Sequence, residues 1–341
     1  MPIASYMTVA LIPVLAGIGI ILGGGWSWLV PVIIFGVFPL IEHWFEGSEE
    51  NVDLSLERER EESPVARLIL VSLLPLQVIC VIGLIWRADQ LLLWELIGLI
   101  IGVGTVQGAL GINGAHELGH RADNVSRSMA RLMLVFSMYP HFMAEHNKGH
   151  HTRVGTPDDP ATANRGQSVY SFWCQSLIGG FLSAWNFERE QLKRCHGAAW
   201  FLKNQMLNNT IGSIMLLCLS GLLGGIVAAV AYLLANIVGV LLLETVNYLQ
   251  HYGLLRKREE DGSFERVGPT HTWVSNRPLS RVLLFDLPRH PDHHMHAGRH
   301  FSNLQHTSES PQLPTGYPGL TLIALVPPLF MPLMEARLDA F

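Results

Sequence analysis

Four stretches of the chain contain no Asp, Glu, Lys or Arg: Met1 to Ile41, Leu68 to Trp86, Leu96 to His116 and Asn204 to Leu243. A helix rises about 1.5 Å per residue, so about 20 apolar residues cross a hydrocarbon core about 30 Å thick. The second and third stretches are each one span long. The first and fourth are each long enough for two spans, with Gly23-Gly24-Gly25 and Gly221 to Gly225 placed near the middle to break them. The pattern predicts an all-α integral membrane protein with six transmembrane helices in three hairpins. The spans fall near 7–24, 26–45, 67–86, 91–112, 207–224 and 226–246, in a single membrane-embedded domain over 1–341. A soluble bundle of core helices is disfavoured, because tandem uncharged runs of this length would be insoluble if exposed. The first run does not read as a cleavable leader, since it lacks a basic start and leads straight into a second span.

Three hairpins put segments 46–66, 113–206 and 247–341 on one face and leave only short turns near residues 25, 88 and 225 on the other. Of the 23 basic residues, all but Arg87 then lie on the first face, which the positive-inside rule makes cytoplasmic. Composition agrees: 49% of residues are hydrophobic and only 15% charged, against about 25% charged in soluble domains. A net charge of −5 implies no nucleic-acid partner, and Glu46 to Glu62 reads as a solvated acidic loop. Ser310 to Met334 is also uncharged, but its six prolines disfavour a regular span and point to an interfacial or re-entrant segment. Cys80, Cys174, Cys195 and Cys218 form no C-x-x-C pair, so neither a disulfide framework nor an iron–sulfur domain is expected.

The chemistry lies in the 16 histidines. His116 and His120 stand four apart in HELGH, so a helix continuing past the fourth span presents both on one face. EHNKGHH supplies His146, His150 and His151. RHPDHH supplies His290, His293 and His294, and NYLQHYGL places His251 at the end of the sixth span. Metal-binding segments are thus expected over 113–206 and 247–310. Imidazole suits iron, zinc, copper and nickel, and one tetrahedral zinc would use only three or four of these nine rings. The surplus implies two metals. Neutral ligands leave the metal charge uncompensated, which favours supporting carboxylates nearby. Glu117, Glu145, Asp158, Asp159 and Asp292 are the candidates, with His271 and His296 as supporting histidines. His43 and His141 read as residues lining the site or sitting in the interfacial layer, and His196, His300 and His306 as surface residues. HELGH also fits the H-E-x-x-H pattern of zinc metalloproteases. A protease needs one further ligand, whereas this chain supplies seven in clusters. A membrane metal transporter would need ligands along a path through the bilayer, and here all nine lie on one face.

The motifs NGAHELGH (113–120), EHNKGHH with TPDDPAT (145–162), NYLQHYGLLR (247–256), THTWVSN (270–276), LPRHPDHHMH (287–296) and LPTGYPG (313–319) resemble those of integral-membrane alkane hydroxylases. These enzymes fall within the membrane di-iron group that includes xylene monooxygenases and fatty-acid desaturases. The resemblance implies a six-span inner-membrane protein with a cytoplasmic, histidine-rich di-iron region. His116, His120, His146, His150, His151, His251, His290, His293 and His294 would hold two irons, with no catalytic residue beyond these ligands. It further implies O₂-dependent hydroxylation of a terminal methyl group, with electrons from rubredoxin and rubredoxin reductase and an alkyl substrate drawn from the bilayer. Phe35 and Phe38 of the second span read first as packing or lipid contacts, with bounding of the substrate channel as the alternative. Gln250 stands where alkane hydroxylases commonly have Glu and is similar in this to xylene-type enzymes; Pro288 and Pro291 also depart from the usual third box. These departures leave open an alkyl-aromatic methyl hydroxylase, and a fatty-acyl desaturase would use the same ligands.

Overall fold

The structure, a computed structural model, describes residues 1–193 and 196–341, without the side chains of 198 and 199. Arg194, one of the basic residues expected on the cytoplasmic face, and Cys195 lie outside the described residues. Among the described residues there is no β-strand, only two isolated bridges, and the chain is almost entirely helical. Its principal helices are α1 (Ile3–Leu22), α2 (Pro31–Trp44), α3 (Pro64–Arg87), α4 (Leu93–Gly119), α5 (Asn124–Phe136), α6 (142–153), α7 (Val169–Gln191), α8 (Gln205–His251), α9 (Pro278–Leu283), α10 (His290–Met295), α11 (Tyr317–Ala324) and α12 (Pro327–Ala340).

Four of these, α1, α3, α4 and α8, are long and apolar enough to cross a membrane. At about 1.5 Å per residue the 24 residues of α3 extend about 36 Å. The 47-residue α8 is two helices joined at a kink, where Gly225 adopts a φ of 74° that a side chain would resist. That residue lies within the glycine run expected to break the fourth uncharged stretch. The α2 helix is shorter and less regular than its apolar sequence suggests. Its first half, Pro31–Val37, is wound as a π-helix and only Phe38–Trp44 is α-helical. In place of one uncharged span, 310–334 forms most of two short helices that break at Val326 before Pro327 and Pro328.

The three expected turns meet at one end of the bundle. Glu95 accepts hydrogen bonds from the Leu92 N–H at 2.8 Å and the Gly24 N–H at 2.9 Å, capping α4 and tying it to the α1–α2 turn. The Arg87 guanidinium lies against Gly23, and Gly224 lies against the Ile85 carbonyl. At the other end, α4 and α8 leave the bundle carrying His116, His120 and His251.

The α4 helix sits at the centre, with 78% of its apolar window buried against 33–39% for the other three long helices. Small residues allow this. A Cβ added at Gly104 would stand 2.6 Å from Val238, and one at Gly108 would stand 3.0 Å from the Gly239 carbonyl. A buried polar network then locks the bundle to α5. Gln77 donates to Gln107 Oε1 at 2.6 Å and to Ser137 Oγ at 2.9 Å, while Gln107 donates to Asn236 Oδ1 and the Phe136 carbonyl, each at 2.9 Å. Gln107→Leu removes the central member and leaves its partners buried. The expected loss is about 1–3 kcal/mol, read as a lower melting temperature in detergent; an unchanged melt would show that the network carries no stability.

Candidate metal centre

Each histidine group is placed by a helix. His116 and His120 face the same way from the end of α4, with ring centroids 4.9 Å apart. In α6 the backbone widens to a π-helix over His146–His150. The wider turn brings residues five apart onto one face, so His146 Nε2 and His151 Nε2 approach to 3.0 Å. In α10 the regular i, i+4 spacing sets His290 Nε2 and His294 Nε2 2.9 Å apart.

These nine rings, and no other histidines among the described residues, fall into two adjoining groups. His116, His120, His146, His151 and His293 form one, and His150, His251, His290 and His294 the other; within each, the nitrogens all lie within 4.8 Å. The partition crosses the sequence motifs. Helix α6 sends two rings to the first group and His150 to the second, while α10 sends His293 to the first and its two neighbours to the second. The groups adjoin, with the His151 and His294 rings 4.6 Å apart.

The spacing fits metal ions. Imidazole–metal bonds of about 2.1 Å put neighbouring ligand nitrogens about 3.0 Å apart at right angles. His116 to His293 is 3.0 Å, His293 to His151 is 3.1 Å and His251 to His290 is 3.0 Å, all between Nε2 atoms. His120 Nε2 and His150 Nε2 are buried without a hydrogen-bond partner among the described residues. Buried polar atoms are seldom left so unless something else satisfies them. Burial, followed by crowding from other imidazoles, pushes His146, His290, His293 and His294 well below the ordinary imidazole pKa. Those rings are therefore neutral at pH 7, the form that offers a lone pair.

That depression sets an acid limit. An unfolded imidazole takes up a proton near pH 6.5, and these buried rings do not until far lower. The stability they retain at neutral pH is lost as pH falls below about 6.5, by about 1.4 kcal/mol per ring per unit. The melting temperature is expected to be level from about pH 8 to 7 and to fall steeply towards pH 5; a level profile throughout would contradict neutral rings.

Of the seven supporting residues expected, Asp159 alone hydrogen-bonds to one of the nine rings, holding His150 Nδ1 at 2.9 Å and aiming Nε2 into the second group. Burial raises the Asp159 pKa, but His150 and the Thr162 hydroxyl outweigh it and hold the carboxyl below its ordinary value. Glu145 lines a small cavity with His146 and His150 and pairs with Arg153 at 2.7 Å. Glu117 pairs with Arg121 at 2.6 Å. Asp292 accepts from Arg299, the Gln305 N–H and His296, and so organises the loop after α10. Three expectations need correction. Asp158 is exposed. His271 pairs with Glu265 and accepts from the Gly268 N–H, and half-exposed His296 pairs with Asp292. The partners of His271 lie in the 265–268 loop and that of His296 is Asp292 of α10, so neither histidine hydrogen-bonds to one of the nine rings.

Two surface expectations also fail: His300 and His306 are 3% and 8% exposed, because the 300–306 loop is covered by 51–60. Asn51 donates to the His306 carbonyl at 2.9 Å and Arg60 to the Ser302 carbonyl at 2.8 Å. The acidic loop is exposed as expected, but its backbone forms part of this cover. His43 and His196 are exposed, whereas His141 lines the cavity beside His146 and His150. Sequence reading missed Glu244, which is buried in that same cavity and accepts from Tyr139 at 2.7 Å and from Ser176. Its signal was its place as the acid that ends the fourth uncharged run.

A second cavity, of about 70 Å³, lies between α1, α2, α4, α8, α9 and α11 and is almost wholly apolar. Phe35, Ala109, Leu243, Val246, Tyr317 and Thr321 are among its walls. Phe35 is among these walls, whereas Phe38 packs into the hydrophobic core, which is the packing role the sequence favoured for both.

A sequence model of the fatty acid desaturase family matches residues 91–322. Alkane 1-monooxygenase 2 of Pseudomonas aeruginosa is 36% identical over 93% of this chain and 85% of its own length. Alkane 1-monooxygenase 1 of Alcanivorax borkumensis is 36% identical over 92% of this chain and 78% of its own. The xylene/toluene monooxygenase hydroxylase component of Pseudomonas putida is 30% identical over 70% of this chain and 63% of its own.

Proposed function

The chain belongs to the alkane 1-monooxygenase family, and from that premise we propose that it hydroxylates the terminal methyl group of alkanes or alkyl chains to primary alcohols. The supporting observation is the pair of adjoining buried imidazole groups, with Nε2 spacings suited to two metal ions. The nine histidines are proposed as ligands of two irons, five at one and four at the other, with Asp159 fixing His150. Bound iron supplies O₂ activation and the means to break an unactivated C–H bond, on which acid–base or nucleophilic side chains have no purchase.

The rest falls to the chain's own residues. Neutral imidazoles leave the metal charge undiminished. The apolar cavity takes a hydrophobic chain while excluding water, and α4 and α8, which line it, continue into His116, His120 and His251. The six-span reading counts the two arms of α8 and includes α2, with the metal centre on the cytoplasmic side of an inner membrane. That orientation is supported by the basic residues, of which only Arg87 belongs to the opposite end. Two electrons and two protons are needed per O₂, and rubredoxin with its reductase is the proposed source.

A substrate screen by gas chromatography tests the assignment. Purified protein given O₂, NADH, rubredoxin and reductase is expected to convert octane to 1-octanol. An alkyl-aromatic methyl is the second reading, favoured by the similarity to the xylene/toluene enzyme; faster turnover of xylene than of any alkane would select it. Unsaturated products from fatty acyl chains, without alcohol, would replace hydroxylation by desaturation.

A further inference from the structure

Beside the five-histidine group a groove of about 480 Å³ lies between the end of α4 and helices α5, α6, α7 and α8, with His120 in its wall. The wall also carries Arg127 and Arg131 from α5 and Lys148 from α6. Among the described residues these three cations have only neutral partners. Arg127 donates to Asn124 Oδ1 and Arg131 to Ser128 Oγ, each at 2.9 Å, and Lys148 donates to Gln191 Oε1 at 2.6 Å. Arg121, a fourth cation in the wall, is already paired with Glu117 at 2.6 Å and Glu61 at 3.1 Å. Glu188 is the carboxylate that lines the groove; it is 5% exposed and accepts from the Gln205 N–H at 2.6 Å. The groove therefore carries positive charge that the chain itself does not match.

Its depth says what could match it. Met206 and Asn209 in the wall belong to the first turns of α8, where the uncharged run from Asn204 begins. From the same level α5 descends into the bundle, until the Phe136 carbonyl accepts from Gln107 and Tyr232. Large apolar residues stay exposed here, namely Val125 and Leu132 on α5 and Phe201 and Leu202 just before α8. Cations recessed between helices at the depth of the headgroups suit an anionic lipid, whose phosphodiester accepts from guanidinium and ammonium groups alike. The exposed apolar residues favour a lipid over a soluble acidic protein, which would leave them uncovered.

We propose that this groove binds the headgroup of an anionic phospholipid, with the phosphodiester held by Arg127, Arg131 and Lys148 and the acyl chains beside α5 in the bilayer. Lys148 lies within the π turn that carries His146 and His150. A lipid bridging it to α5 ties that turn to the bundle, so bound lipid raises the melting temperature of the protein.

Full-length protein in a neutral detergent is titrated with dioctanoyl phosphatidylglycerol, dioctanoyl phosphatidylcholine and inorganic phosphate, and affinities are obtained from the shift in melting temperature. Phosphatidylglycerol is expected to bind about tenfold more tightly than phosphatidylcholine, whose headgroup cation cancels the phosphodiester charge, and inorganic phosphate only weakly. The double variant Arg127→Gln/Arg131→Gln is expected to lose that preference. Arg258→Gln/Arg266→Gln, the same change of charge in a loop that does not line the groove, is expected to keep it. Equal affinity for the two lipids, or an unaltered preference in the groove variant, would overturn the site. Inorganic phosphate bound as tightly as phosphatidylglycerol would overturn a lipid as its occupant. Loss of rubredoxin binding in the groove variant, with phosphatidylglycerol binding intact, would make the groove a protein-docking face and overturn the lipid site too. Should the groove variant melt early without ligand, the native protein is compared at low and high salt. A preference that shrinks on screening supports the site, and one that does not overturns it. The inference is independent of the proposed reaction: protein that hydroxylates octane without preferring phosphatidylglycerol refutes the site alone, and the preference without hydroxylation refutes the function alone.

Discussion

His251→Ala is expected to give a folded protein that has lost iron and at least about a hundredfold in hydroxylation rate. His251 is one of four rings in its group and the sole proposed ligand on α8. Its Nε2 stands 3.0 Å from that of His290, so its loss opens one side of a buried site. The remaining three rings lie on α6 and α10, and no other histidine among the described residues belongs to the group to replace it. Iron analysis of the purified variant should fall from about two per chain towards one. The five-ring group should keep its ion, because none of its histidines lies on α8. Unchanged iron and unchanged turnover would remove His251 from the ligand set.

Filling the apolar cavity should alter chain-length preference more than any change at its rim. Ala109→Phe places a ring where only a methyl group stands, between Gly108 and the walls given by α8 and α11. Each methylene withdrawn from water is worth about 0.8 kcal/mol, so long chains lose the most when the cavity is shortened. Octane oxidation is expected to fall about tenfold or more, and butane or pentane oxidation much less. Gas chromatography of mixed-alkane incubations gives the ratio directly. Equal loss for all lengths would mean that the substrate does not pass this wall.

The long uncharged runs made the bundle legible, since absence of charge over 19 or more residues has few folded explanations. The glycine run before Ile226 also announced the kink of α8 correctly. What the pattern could not carry was backbone winding. Hydropathy is nearly blind to the difference between α and π turns, so the π-wound half of α2 and the π turn of α6 came only from the structure. The second had a consequence for chemistry. The spacing in EHNKGHH pointed to three candidate ligands but hid that His150 leaves its neighbours for the second group. Polarity misled in the loops for a different reason. His300 and His306 sit in polar sequence, but their neighbours' hydrogen bonds are made to 51–60 and so bury them. Asp158 and Asp159 are adjacent acids with opposite environments, and only the turn that ends in Thr162 decides which one reaches a ring.

The most direct test of the central claim uses octane with ¹⁸O₂ and the reconstituted electron donors. The account requires 1-octanol carrying one ¹⁸O atom, formed in proportion to iron content and absent from His251→Ala. Octene, or alcohol whose oxygen comes from water, would contradict it.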